Sequence, residues 1–244
     1  MKKLKTLPRF TFCLFVLALI AGNPCFAQDN RVGSKDVDLA QRQMENVRIE
    51  EENIGALFSH FSYAYDIPIG LEVARNGDEL TSYRIDFKKG TLSDLLNQFV
   101  AEHKQYSWKI DNGVLSVFPT YDFRDPLLEA LLTTNISSFS VKEKTSTWGF
   151  GQALVATPEI KRILELRGVT CDAGYLGGFY IQQLGQHFSL DVSNVTLKSL
   201  LDQVIKESPV AKHWVIANNH SAKQIFLRVH ADLEYSPKET KAPE

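Results

Sequence analysis

Two ten-residue stretches, GTLSDLLNQF at 90–99 and VTLKSLLDQV at 195–204, are near copies of one another 105 positions apart. Each reads as a capped amphipathic helix. In the first, Thr91 stands at the N-cap with Asp94 three residues on, the spacing of a capping box with Asp in place of the usual Glu. Leu92, Leu95, Leu96, Phe99 and Val100 then fall at i, i+3, i+4, i+7 and i+8, one apolar stripe. In the second, Thr196 is the cap, and Leu197, Leu200, Leu201, Val204 and Ile205 repeat the stripe position for position.

The similarity extends outward from the helices. YRIDF (Tyr83 to Phe87) and FSLDVS (Phe188 to Ser193) alternate as strands before each helix, with Asp86 and Asp191 in matching places. After each helix comes a tryptophan-bearing strand, YSWKIDN with Trp108 and HWVIANN with Trp214. In the first copy Asn112-Gly113 between apolar runs signals a tight hairpin, and in the second QIFLRVH (Gln224 to His230) supplies the last strand. Upstream, MENVRIEEEN, IGALFSHFSYAYDI and PIGLEV predict strand, helix and strand in the first unit. ISSFSVKEKT, a helical stretch interrupted at Pro158, and VTCDAGYLGGFYIQQLG hold the corresponding places in the second, with looser correspondence. The expectation is an α+β protein of two tandem small domains, each with helices packed on small mixed or antiparallel sheets in a β-α-β-β-α-β-β-like order.

The start of the chain belongs to targeting rather than to the fold. Lys2, Lys3, Lys5 and Arg9 precede the apolar run FTFCLFVLALIAG, and PCFA ends on Ala27 as a cleavage site would, a bacterial-type export signal over 1–27. Its removal takes the formal charge from −2 to −6, because four basic residues leave with it. That mild acidity disfavours nucleic acid or an anionic membrane as partner. Cys13 and Cys25 leave too, so Cys171 is the one cysteine of the remaining chain and no disulfide framework exists; a buried, inert thiol is the expectation. The remaining organisation reads as an N-terminal extension at 28–44, a first domain at 45–120, a linker at 121–126, a divergent second domain at 127–232 and a charged, disordered tail at 233–244.

The stretches IGALFSHFSYAYDIPIGLEV and YRIDFKKGTLSDLLNQFVAEHKQYSWKIDNGVLSVFP resemble the secretin and TonB N-terminus short domain family. FSLDVSNVTLKSLLDQVIKE, HWVIANN and IFLRVH are similar to its closing half, with Val195 in place of the turn glycine Gly90. The resemblance implies small α+β domains that dock periplasmic proteins ahead of an outer-membrane pore or receptor. It implies no catalytic residues.

Chemistry-bearing motifs do not appear. There is no His-Glu-x-x-His helix, Gly-x-Ser-x-Gly elbow, P-loop or paired-cysteine metal motif. His60, His103, His187, His213, His220 and His230 are scattered and read as surface or satisfied histidines. The glycine-rich GYLGGF (Gly174 to Phe179) lacks the strand-to-helix context of a phosphate cradle and reads as a tight loop, and Glu50, Glu51 and Glu52 as a solvated strand end. Asp86 and Asp191 are expected to face solvent, and Trp108 and Trp214 to anchor cores. Phe58 and Phe61 share a core face, while Tyr63 and Tyr65 leave open an exposed tyrosine cluster of the kind protein interfaces use.

These observations predict an exported, periplasmic or secreted, non-enzymatic docking protein of the bacterial envelope. No catalytic, cofactor-binding or metal residue is nominated. Its partner would be another envelope protein, with no nucleic acid and no transmembrane span once the signal is cleaved; oligomeric state is left open. Two alternatives remain. One is a periplasmic small-ligand or glycan-binding protein using the glycine-rich middle of the second unit. The other is an exported hydrolase or isomerase with a cleft between the units and a carboxylate such as Asp86 or Glu72 perturbed in pKa.

Overall fold

A computed structural model describes residues 34–75, 82–142, 147–173, 189–208 and 211–231 of the chain. The signal segment, the GYLGGF loop, Phe188, His187 and the tail lie outside these residues.

The two repeated helices start as their sequences dictate. Asp94 N donates to Thr91 Oγ1 at 3.1 Å and Thr91 N donates to Asp94 Oδ2 at 2.9 Å, closing the capping box. Helix α3 (Leu92–Glu102) follows, burying Leu92, Leu95, Leu96 and Phe99. In the second copy Thr196 Oγ1 accepts from Ser199 N at 3.1 Å, and α7 (Leu197–Glu207) buries all five stripe residues.

Around α3 the first module builds α1 (Ser34–Ala40), β1 (Gln43–Glu51), α2 (Ile54–Tyr65), β2 (Ile69–Glu72), β3 (Tyr83–Thr91), β4 (Tyr106–Asp111) and β5 (Val114–Pro119). Around α7 the second builds α4 (Pro126–Thr133), β6 (Asn135–Val141), α5 (Thr147–Val155), α6 (Pro158–Arg167), β7 (Thr170–Asp172), β8 (Leu190–Thr196), β9 (Ala211–Asn219) and β10 (Gln224–Ala231). The helical stretch is interrupted at Pro158 as expected: α5 stops at Val155 and Pro158 opens α6 at N1, where its missing N–H costs nothing.

The modules match in pairing as well as in order. β1 pairs antiparallel with β3 so that Gln43 faces the cap Thr91, and β6 pairs with β8 so that Asn135 faces the cap Thr196. Leu92 N donates to Arg42 O, and Leu197 N to Thr134 O, both at 2.9 Å. β5 lies between antiparallel β4 and parallel β2, as β10 lies between antiparallel β9 and parallel β7. The unit also begins earlier than the sequence suggested. Asp36 of α1 accepts from the Asn112 and Gly113 amides at the β4–β5 turn, while Asp125, which caps α4, accepts from Asn218 Nδ2 near the β9–β10 turn. An equivalent helix thus opens each module: α1 lies in the stretch read as an extension, and α4 takes its cap Asp125 and first residue Pro126 from the stretch read as a linker.

The two three-stranded sheets join into one. β2 pairs parallel with β9, giving the order β4-β5-β2-β9-β10-β7. Alternation along these strands then divides the core in two. Leu115 and Val117 of β5, with Val215 and Ala217 of β9, pack into the core formed with α2 and α3. Val114 of β5, with Trp214 and Ile216 of β9, belongs to the core formed with α4, α5, α6 and α7. The second module is thus turned over relative to the first. Because β7 and β2 are equivalent but run in opposite directions, the relation is a half-turn about an axis lying across the strands.

Candidate functional site

A turned-over neighbour leaves each face of the sheet covered only in part. On one face, the helices of the second module stop over β2, and the side chains of β5 and β4 beyond it line a cavity of about 380 Å³. Gly70 sets its back wall: a Cβ there would lie 2.3 Å from Trp214 Cζ2, so only glycine lets the indole lie over β2. Trp214 is 1 % exposed, and its Nε1 donates to Asp202 Oδ1 at 2.8 Å.

Glu72, two residues along the same face of β2, points into this cavity with its side chain 4 % exposed. Arg124, from the segment joining the modules, places Nε 3.5 Å from Glu72 Oε1, an ion-pair separation without hydrogen-bond geometry. Its Nη1 donates to Glu129 Oε1 of α4 at 3.1 Å, and its guanidinium stands 5.7 Å from the centre of the Phe118 ring. Burial pushes the Glu72 carboxyl up from 4.5 to about 7; the Arg124 cation pulls against it, while Glu129 and Asp125 push the same way as burial. Glu72 Oε1, Ser116 Oγ and Arg124 Nε are all buried without a hydrogen-bond partner.

On the opposite face, α2 of the first module stops over β9, and a groove of about 750 Å³ runs beside β10, with His60, Tyr63, Phe226, Arg228 and His230 on its walls. Its polar groups are largely engaged. His60 Nδ1 lies 2.9 Å from Glu51 Oε1, Arg228 donates to Asp172 through Nη2 at 2.7 Å, and the Tyr63 hydroxyl donates to His230 O.

The sheet also ends in an open strand. The β4–β5 turn has two residues with positive φ, Asn112 (54°) and Gly113 (78°), the arrangement that matches strand twist in a two-residue hairpin. Counting from that turn, Asp111, Lys109 and Ser107 exchange hydrogen bonds with β5. Trp108 and Ile110 therefore turn their N–H and C=O outward from the edge. At the foot of β4, Thr120 N donates to Gln105 O at 2.9 Å and holds a 3-10 turn carrying Tyr121, which is 92 % exposed.

The residues singled out in the sequence do not converge on one place. Asp86 is on β3, held below its usual range by the hydrogen bond from Arg84, and far along the chain's pairing from Asp191 on β8. Glu72, named beside Asp86, is the carboxylate that burial raises. Cys171 is half-buried on β7, its thiol pushed up to about 12 by burial, as an inert thiol requires. Phe58 and Phe61 are fully buried. Tyr63 and Tyr65 are half-buried, Tyr65 against the Phe61 ring at 5.0 Å, and among the described residues the strongly exposed tyrosine is instead Tyr121. His103 caps the C-terminus of α3 rather than lying within it. His213 is fully buried, stacked on His230 at 5.1 Å, with neither ring nitrogen hydrogen-bonded, so it is not a satisfied histidine. Among the described residues no cluster of three or more His, Cys, Asp or Glu could hold a metal ion, and no helix is long and apolar enough to cross a membrane. Arg124 and Ser116 went unnoticed in the sequence. Arg124 is an ordinary linker cation until the modules meet, and Ser116 is one polar residue in an apolar strand.

Comparison of the chain with protein-family models, with curated proteins and with solved structures returned no match in any of the three.

Proposed function

We propose that the protein is an exported, non-enzymatic docking module of the cell envelope, made of two units akin to the secretin and TonB N-terminus short domain. An extended segment of a partner protein adds to its sheet at β4. The observation that carries this reading is the outer edge of β4 itself, where Trp108 and Ile110 offer backbone donors and acceptors beside the exposed Tyr121. The sheet already contains one joint of this kind, since β2 accepts β9 from the other module as a parallel neighbour. Charged Lys109 and Asp111 on β4 guard the edge against indiscriminate pairing. Tyr121 supplies the large amphipathic contact on which interfaces concentrate binding energy.

A photo-crosslinker at Lys109 in the full chain, exposed to an envelope extract, tests the reading against the same group at Leu166, an exposed site on α6. A discrete protein adduct is expected from Lys109 alone. Ile110→Pro should abolish it, because proline removes an outward N–H without breaking a rung of the β4–β5 ladder. An adduct that survives Ile110→Pro, or equal labelling from both sites, contradicts docking at this edge.

A further inference from the structure

Three buried polar atoms that make no hydrogen bond line one cavity: the hydroxyl of Ser116, and Glu72 Oε1 and Arg124 Nε, which face one another as an ion pair at 3.5 Å. Buried polar groups nearly always find a hydrogen-bond partner, and leaving one without is costly. Three such atoms facing one space of about 380 Å³ describe a site that a ligand completes.

The chemistry of the walls narrows the ligand. Arg124 Nε is a donor only, an ionised Glu72 oxygen is an acceptor only, and Ser116 can act as either. A ligand must therefore present donor and acceptor capacity at nearly the same point, because Arg124 Nε and Glu72 Oε1 are 3.5 Å apart. A hydroxyl does both. A simple cation would meet Arg124 together with Lys109 and Lys198, and a simple anion would meet Glu72 and Glu129. Phe118 offers apolar surface for ring C–H groups. We infer that the cavity over β5, β2 and β9 binds a neutral polyhydroxylated compound, a sugar of one or two rings, through Glu72, Ser116 and Arg124. The partly protonated state that burial gives Glu72 near neutral pH suits such a neutral ligand. The cavity touches β4 through Lys109 and does not include Trp108 or Ile110, whose backbone forms the outward edge, so the inference stands whether or not a partner docks there.

Calorimetric titration of the full-length protein with D-glucose, N-acetyl-D-glucosamine and maltose tests the assignment, with spermidine and inorganic phosphate as ionic comparisons. At least one sugar is expected to bind saturably with Kd of about 1 mM or tighter. Ser116→Ala and Glu72→Gln, each checked for an unchanged circular dichroism spectrum, are each expected to weaken it about tenfold. Two variants keep the test sound if one fails to fold. Absence of any sugar isotherm, an isotherm unchanged in the folded variants, or binding of spermidine or phosphate in place of the sugars overturns the inference.

Discussion

Glu72 and His213 make stability depend on pH in opposite directions. Glu72 has a folded pKa of about 7 against 4.5 when exposed, so the folded state binds its proton more tightly. The resulting stabilisation is fully present below 4.5 and is lost as pH rises through 7. Two and a half pKa units correspond to about 3 kcal/mol. Glu72→Gln should therefore raise Tm at pH 8 and leave it nearly unchanged at pH 4.5, which thermal melts at the two pH values will show. His213 is held neutral, mainly by burial and further by the neighbouring His230, well below its usual range. Its stabilisation is present above about 6.5 and lost as pH falls below that, so His213→Leu should flatten the acid side of the stability profile. Gly70 is constrained by space rather than charge: Gly70→Ala would drive a methyl into the Trp214 ring and should cost about 3 kcal/mol in denaturant unfolding.

At the scale of elements, α3 and α7 do the same work in the two cores. Leu96 and Leu201 are each fully buried. Leu96→Ala and Leu201→Ala should each cost about 2–5 kcal/mol, and a near-zero cost at either would mean that its helix is not seated as described. These helices, their threonine caps and the Asn-Gly hairpin were legible in the sequence because they rest on local spacing. The equivalent helices α1 and α4 were not read, although Asp125 followed by Pro126 is a cap and an N1 proline. α1 lies in the stretch read as an extension, and α4 opens at the linker's last residue, so neither falls within the best-matching letters of the repeat. β7 was not read either: TCD opens the stretch taken as a crossing through a glycine-rich loop, and three residues carry too little periodicity to announce a strand.

For the whole molecule, the decisive event is the meeting of β2 and β9, 144 residues apart in register, and no local pattern announces it. The cavity follows from that meeting. Glu72 was recognised as a candidate, yet its surroundings come from Arg124, α4 and β9, which only the assembled sheet brings to it. Severing the modules should expose β2. A fragment ending at Arg124 keeps most of the first core but loses Val215, Ala217 and the parallel partner of β2. It is expected to melt cooperatively at a lower temperature than the full chain and to self-associate in sedimentation experiments.

Amide hydrogen exchange of the intact protein measures the joint most directly. β2 and β9 each have a strand on both sides, whereas among the described residues the outward amides of Trp108 and Ile110 on β4 face none. The amides of Ile69–Glu72 and of 213–216 are predicted to exchange only through global unfolding, far more slowly than those of Trp108 and Ile110. Exchange across β2 and β9 as fast as on that outer edge would contradict a single sheet shared by the two modules.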